Sequence, residues 1–236
     1  MVPVVRYLAL GVVVAVPVGL LVVGVQLALT EGYMALEYGR SDFPPDGYGF
    51  TFEERLAYAV ETVGCLRAGG WSSACLMAMS FSGGVALYNA RELRHLEDVV
   101  LALRGVFGVG VVLFVFSVVC VVVFVFGDMT TRIVLLKAIS QGGILMLSVL
   151  AVLLGLAVLR WDQFFEGFHH LFFADGTWRF EYSDTLIRLF PEKFWFDTAL
   201  NLGLFTAAGA IALIAISSWA LRRISRQHPD GQDAAG

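Results

Sequence analysis

Four runs of this chain, 7–29, 106–126, 139–159 and 199–221, are apolar over a length that crosses a bilayer. About 20 predominantly apolar residues span the hydrocarbon core, and inside lipid every backbone N–H and C=O must bond within its own segment. Each run therefore has to be a helix. Composition agrees, with 58% hydrophobic and 15% charged residues against about 45–50% and about 25% in an ordinary soluble domain. The first run exceeds the roughly 7–15 residues of a secretory h-region, so it reads as a retained helix bent at Pro17.

The expectation is an all-α polytopic membrane protein with four transmembrane helices and a small outward-facing cap of helices and short strands. The chain divides into a first helix (1–29), a cap block (30–98), a second helix (99–126), a connection (127–138), a third helix (139–159), a second cap block (160–197), a fourth helix (198–221) and a tail (222–236). Arg222, Arg223 and Arg226 follow the last span, and Arg132 and Lys137 join the second to the third, which predicts cytoplasmic placement of both termini and that connection. Both cap blocks then lie on the outer face.

Local signals organise the cap. Thr51 and Glu54 form a capping box that opens a helix through Leu56, Ala57, Ala59, Val60 and Val63, with Gly69-Gly70 ending it. Residues 85–88 and 177–182 read as short strands, the latter after an Asp175-Gly176 turn. Asn89 and Glu92 form a second capping box, and no breaker intervenes before Phe126, so one helix runs from cap to span. The third span is expected to continue helically past Trp161 to Phe168, and residues 184–190 to form a helix stopped by Pro191. Gly142-Gly143 fits close helix packing in lipid.

Two histidine-bearing stretches thereby come to the same side of the membrane: Tyr88 to Asp98 ahead of the second span, and Phe168 to Phe173 after the third. Cys65 and Cys75 share a cap block, where either a disulfide or two buried thiols fits, while Cys120 lies within a span. None has a histidine nearby in sequence to activate it. The acidic balance, net −4, and the absence of a basic stripe or phosphate-binding glycine loop exclude nucleic acid as a partner. Spans with few ionisable residues argue against transport.

The segment YNARELRHLEDV at 88–99, FHHLFF at 168–173 and WRFEYSDTLIRLFPEKFW at 178–195 together resemble the bacterial lipoprotein intramolecular transacylases. The resemblance implies transfer of an acyl chain from the diacylglyceryl group on a lipoprotein's N-terminal cysteine to that cysteine's α-amino group, leaving a lyso-form lipoprotein. It implies a multi-pass protein of the bacterial cytoplasmic membrane that acts at the outer face without a cofactor, with diacylglyceryl lipoproteins and membrane lipids as partners. His95 and His169 match the family's two functional histidines, with His170 beside the second. Tyr88, Asn89, Arg91, Arg94, Asp98, Phe172, Phe173, Trp178 and Asp184 are the expected supporting residues.

The chemistry is consistent on its own terms. An α-amino group with a pKa of about 7.7–8.0 needs a base before it attacks an ester, and imidazole is suited to that task. Donor and acceptor share one molecule, so orientation and proton transfer suffice without an acyl-enzyme. Two rival readings use the same residues. Glu92-x-x-His95 and Glu166-x-x-His169 carry the i, i+3 pairing of di-iron carboxylate bundles, which suggests a metal-dependent hydrolase or oxidase with Glu31 or Glu37 and Asp197 as further ligands. A non-enzymatic lipid-binding accessory protein is the other. Glu92 also serves simply as the capping-box acid, and the phenylalanines at 164, 165, 168, 172 and 173 as a packing face or an acyl-chain contact.

Overall fold

The computed structural model describes residues 3–67, 74–174 and 176–227, and among them the chain forms nine helices. They are α1 (Pro3–Ala28), α2 (Glu31–Tyr38), α3 (Phe52–Arg67), α4 (Ala74–Ala78), α5 (Ala90–Phe126), α6 (Met129–Leu159), α7 (Trp161–Phe172), α8 (Thr185–Leu189) and α9 (Glu192–Gln227). Helices α1, α5, α6 and α9 are long and apolar enough to cross a membrane. The chain is a multi-pass membrane protein.

The chain separates into two compact units, and each long helix contributes to both. The first comprises the described residues of Met1–Val22, Val109–Val152 and Gly203–Gly236. Here side chains such as Val111, Val112, Phe114 and Val121 face outward, the arrangement a lipid solvent requires. With no water to expel, helices associate through close van der Waals approach of small residues. A Cβ on Gly142 would lie 3.0 Å from the Val13 carbonyl oxygen of α1, and one on Gly143 3.0 Å from the Ala210 carbonyl oxygen of α9. The glycine pair seats α6 on both neighbours, as its sequence pattern suggests. At the turn between spans, Arg132 donates to the Phe124 and Val125 carbonyl oxygens that end α5, and Asp128 caps the start of α6.

The second unit, Val23–Gly108 and Leu153–Leu202, has an apolar core in the manner of a soluble domain. Met34, Tyr38, Ala59, Val63, Leu76, Leu87, Leu96, Leu186, Leu189 and Phe194 bury one another. Both capping boxes form. Thr51 N–H donates to Glu54 (3.0 Å) and Glu54 N–H to Thr51 (3.2 Å), while Asn89 N–H donates to Glu92 (2.7 Å) and Glu92 N–H to Asn89 (3.0 Å). Cys65 and Cys75 are joined in a disulfide that links α3 to α4. The Gly69-Gly70 helix stop and Asp175 of the expected turn lie outside the described residues.

Two expectations need correction. No strand exists among the described residues; the only β feature among them is a single antiparallel bridge, Ser80 with Ala86, closed around Gly83 and Gly84 by Phe81 N–H to Val85 O (2.8 Å) and Leu87 N–H to Met79 O (3.0 Å). Residues 177–182 alternate because Trp178 and Phe180 turn their rings toward the histidines, so their period reflects ring packing instead of a ladder. The third span also does not run on into the histidines. It ends at Leu159, and Arg160 leaves helical geometry (φ −146°, ψ 55°) before α7 starts.

Candidate active site

His95 occupies the second turn of α5, ahead of the apolar run, and His169 lies near the end of α7. The Asn89–Glu92 capping box fixes where α5 begins and hence the direction in which His95 leaves it. Glu92 does more than cap. Its second oxygen accepts the Leu186 N–H at 2.6 Å, tying the first turn of α5 to α8, and the side chain is 1% exposed. Burial raises its pKa. Asp184 anchors the same junction, accepting from Asn89 (3.0 Å) and pairing with Arg91 (2.6 Å), whose guanidinium lies 5.6 Å from the Phe180 ring centre.

The two imidazoles meet at 6.2 Å between ring centres with their planes 26° apart. Phe173 and Phe180 flank His95 at 4.8 and 5.4 Å, while Phe165 and Trp178 flank His169 at 4.1 and 4.7 Å. None of these flanking side chains is a nucleophile. The aromatic walls bury His95 and partly bury His169, which disfavours the charged form of each ring. Burial pushes His95 down to about 4, with a smaller contribution from His169, and also lowers His169. Both imidazoles are therefore neutral near pH 7.

One contact decides the tautomer of His169. Its Nδ1 lies 2.7 Å from the Phe165 carbonyl oxygen one helical turn back. A carbonyl only accepts, so Nδ1 carries the proton and Nε2 holds the lone pair. His170 takes a different place, exposed on α7 with its ring edge-on to Trp178. Two further nitrogens, His95 Nδ1 and Trp178 Nε1, are buried without a hydrogen-bond partner among the described residues. A buried polar atom left unbonded costs about 1–3 kcal/mol, and here both orphans belong to rings of one cluster.

The other expected supporting residues divide. Phe173, Trp178, Arg91, Asn89 and Asp184 join the cluster or its scaffold. Tyr88 instead turns into the core of the second unit, 2.6 Å from the Thr62 hydroxyl, and Arg94 is exposed. Asp98 is half-buried on α5, and Phe172 is largely exposed on α7. Phe165 and Phe180, not singled out as site residues, contribute a carbonyl acceptor and a wall. Phe165 carried a readable signal, since it precedes His169 by four residues on a helix; Phe180 carried none.

The donor set for a di-metal centre does not assemble. Glu92 is committed to two backbone N–H groups and Glu166 to Arg179 at 2.9 Å, and no group of three or more His, Cys, Asp and Glu among the described residues is placed to hold a metal ion. Glu37 and Asp197 do come together, but with cations. Asp197 accepts from Lys193 at 2.7 Å and lies 3.4 Å from Arg40, while Glu37 is fully buried and is pushed up to about 7 by burial and by its hydrogen bond with Asp197.

The family model for "Lipoprotein intramolecular transacylase Lit" matches residues 75–195, a window that contains both histidines. An uncharacterized protein of Aquifex aeolicus (strain VF5) is 30% identical over 205 residues, covering 85% of this chain and 88% of the relative. The in meso structure of the membrane integral lipoprotein intramolecular transacylase Lit from Bacillus cereus superposes with a TM-score of 0.66 at 19% identity, covering 95% of this chain and 98% of the other. A form of that protein carrying a histidine-to-arginine mutation gives 0.63 at 16% identity over 95% of each chain. These structures share the fold.

Proposed function

The chain belongs to the lipoprotein intramolecular transacylase family, and from that premise we propose that it moves an acyl chain from the diacylglyceryl group of a lipoprotein to the α-amino group of the same N-terminal cysteine. The observation that carries this reading is the pair of neighbouring imidazoles, the second with Nδ1 committed to the Phe165 carbonyl oxygen and hence its lone pair on Nε2. His169 Nε2 is the base. The cysteine's neutral amine attacks the ester carbonyl carbon, a C–N bond forms, and the nitrogen's proton passes to Nε2. The tetrahedral oxyanion collapses, the ester C–O bond breaks, and the imidazolium returns that proton to the departing glyceryl oxygen. Amide and alcohol replace amine and ester with no net proton change.

Charge on the tetrahedral oxygen needs donors held ready in a dry site. A neutral His95 and the Trp178 indole N–H are available there, since Trp178 Nε1 has no other acceptor among the described residues. Binding both reacting groups of one molecule supplies the remaining acceleration through orientation. The Cys65–Cys75 disulfide belongs to the same unit as the histidines, which supports placing that unit in an oxidising compartment, at the outer face of the cytoplasmic membrane with both termini inside.

The test is product identity. A diacylglyceryl lipoprotein co-expressed with this chain, in a host lacking other N-acylation, should yield an N-acyl, monoacylglyceryl N-terminal peptide by mass spectrometry. An unchanged diacylglyceryl peptide beside well-folded protein rejects the proposal.

A further inference from the structure

Helix α7 has two faces of opposite character. Trp161, Phe164, Phe165, Phe168 and Phe172 recur at helical spacing along one stripe, while Asp162, Gln163, Glu166 and His170 occupy the other side. In a soluble domain such a stripe would be covered, yet no residue of α7 is fully buried. Phe168, Leu171 and Phe172 are 48%, 76% and 55% exposed and lie together at the C-terminal end. His169 sits at the margin of this stripe, turned toward His95. The exposed apolar face is thus one residue away from the reacting imidazole.

Two features identify what covers it. The helix follows the membrane-crossing α6 after one residue, so its start is held near the end of a span. At that start Trp161 packs against Phe164, Phe165 and Phe196, and tryptophan at the end of a span is the residue type enriched at membrane interfaces. On the polar side Glu166 is paired with Arg179 at 2.9 Å, which offsets one of its two carboxylates. A helix of 12 residues, about 18 Å long, with an apolar stripe and a polar back lies in the plane of the interface with its stripe about 5–10 Å into the acyl boundary.

We propose that α7 is an interfacial helix whose Phe168, Leu171 and Phe172 are covered by lipid acyl chains, and that the substrate's acyl chain passes from the bilayer to His169 along this face. The second part rests on the transacylase reading; the first does not. Ester carbonyls of a membrane-anchored diacylglyceryl group sit at the depth of such a helix, so the chain need not leave the bilayer before the carbonyl reaches Nε2.

The test uses the full-length protein in phosphatidylglycerol–phosphatidylethanolamine vesicles. A nitroxide at Leu171→Cys, in a Cys120→Ser background, should be relaxed by oxygen much more than by a water-soluble nickel chelate, and one at Gln163→Cys should show the reverse. Equal access of the nickel chelate to both positions overturns the interfacial placement. Separately, Leu171→Ser, at the most exposed of the three positions, should lower N-acylation of a long-chain diacylglyceryl peptide in vesicles by about 5-fold or more, while changing turnover of a short-chain, water-soluble analogue by less than about 2-fold. Equal losses on both substrates overturn the acyl path. If the unmodified chain acylates neither peptide, the transacylase reading falls and the acyl path with it, whereas the nitroxide result still decides what covers α7.

Discussion

The membrane unit and the histidine unit hold themselves together by opposite means. In the first, contact is closest where side chains are missing, at Gly142 and Gly143, because lipid offers no hydrophobic drive and only shape complementarity distinguishes a neighbour from solvent. In the second, contact is closest where side chains are polar. Glu92 joins α5 to α8, Tyr88 meets Thr62, and the buried Arg55 donates to the carbonyls of Pro44 and Arg188. The difference follows from solvent. A unit rich in polar groups pairs most of them, and contacts such as those of Glu92 and Asp184 tie α5, which carries His95, to the start of α8.

The sharpest way to break the contrast is Glu92→Ala. It removes the acceptor of two backbone N–H groups in a buried setting and should cost the histidine unit about 3 kcal/mol, read as a large fall in its unfolding temperature with activity lost in parallel. An unchanged unfolding temperature would show that Glu92 is dispensable as a tie. Reduction of Cys65–Cys75 should follow at about 2–3 kcal/mol, making this unit, and not the membrane unit, sensitive to dithiothreitol in limited proteolysis. Gly143→Leu is the mirror experiment. It forces α6 from the Ala210 carbonyl at about 1–3 kcal/mol and should loosen cross-links engineered between α6 and α9; cross-linking at the original yield would deny the close approach.

The pH responses of two buried groups oppose each other. His95 titrates at about 4, below its ordinary value, so its contribution to stability is present above pH 6.5 and is lost as pH falls toward 4. Replacing it with Gln should flatten that acid limb. Glu37 titrates at about 7, above its ordinary value, so its contribution is full below pH 4.5 and is lost as pH rises through 7. Glu37→Gln should therefore stabilise the protein above pH 7 by about 1–3 kcal/mol, and a loss of stability there would mean that the carboxylate's pairing with Arg40 outweighs its burial. Smallest of all is Trp178→Phe, which keeps a ring against His169 and deletes the N–H. It should reduce kcat about 10-fold with KM and unfolding temperature unchanged; unchanged kcat would remove the indole from oxyanion binding.

Much of this was legible because it is local. Apolar run length gives the spans, and Asn89 with Glu92 gives the start of α5, since a capping box is complete within four residues. The two histidines stood out by their motifs. What escaped depends on partners distant in sequence. Nothing near Glu92 announces Leu186, nothing near Phe180 announces His95, and Arg55 looks like a surface cation of α3 until Pro44 and Arg188 fold over it. The strand reading at 177–182 failed for the same reason, because alternation records which side chains are buried and not what buries them. The break at Arg160 reflects a change of environment, as the all-round apolar α6 gives way to the two-faced α7.

His169, and not its neighbour His170, is the proposed base. The direct measurement is the single-turnover rate of N-acylation of a purified diacylglyceryl peptide by the unmodified chain, His169→Ala and His170→Ala in vesicles, followed by mass spectrometry from pH 4.5 to 8.5. The expected loss is about 10²–10⁴-fold for His169→Ala and less than about 3-fold for His170→Ala. Comparable losses in both variants would show that His169 is not the base.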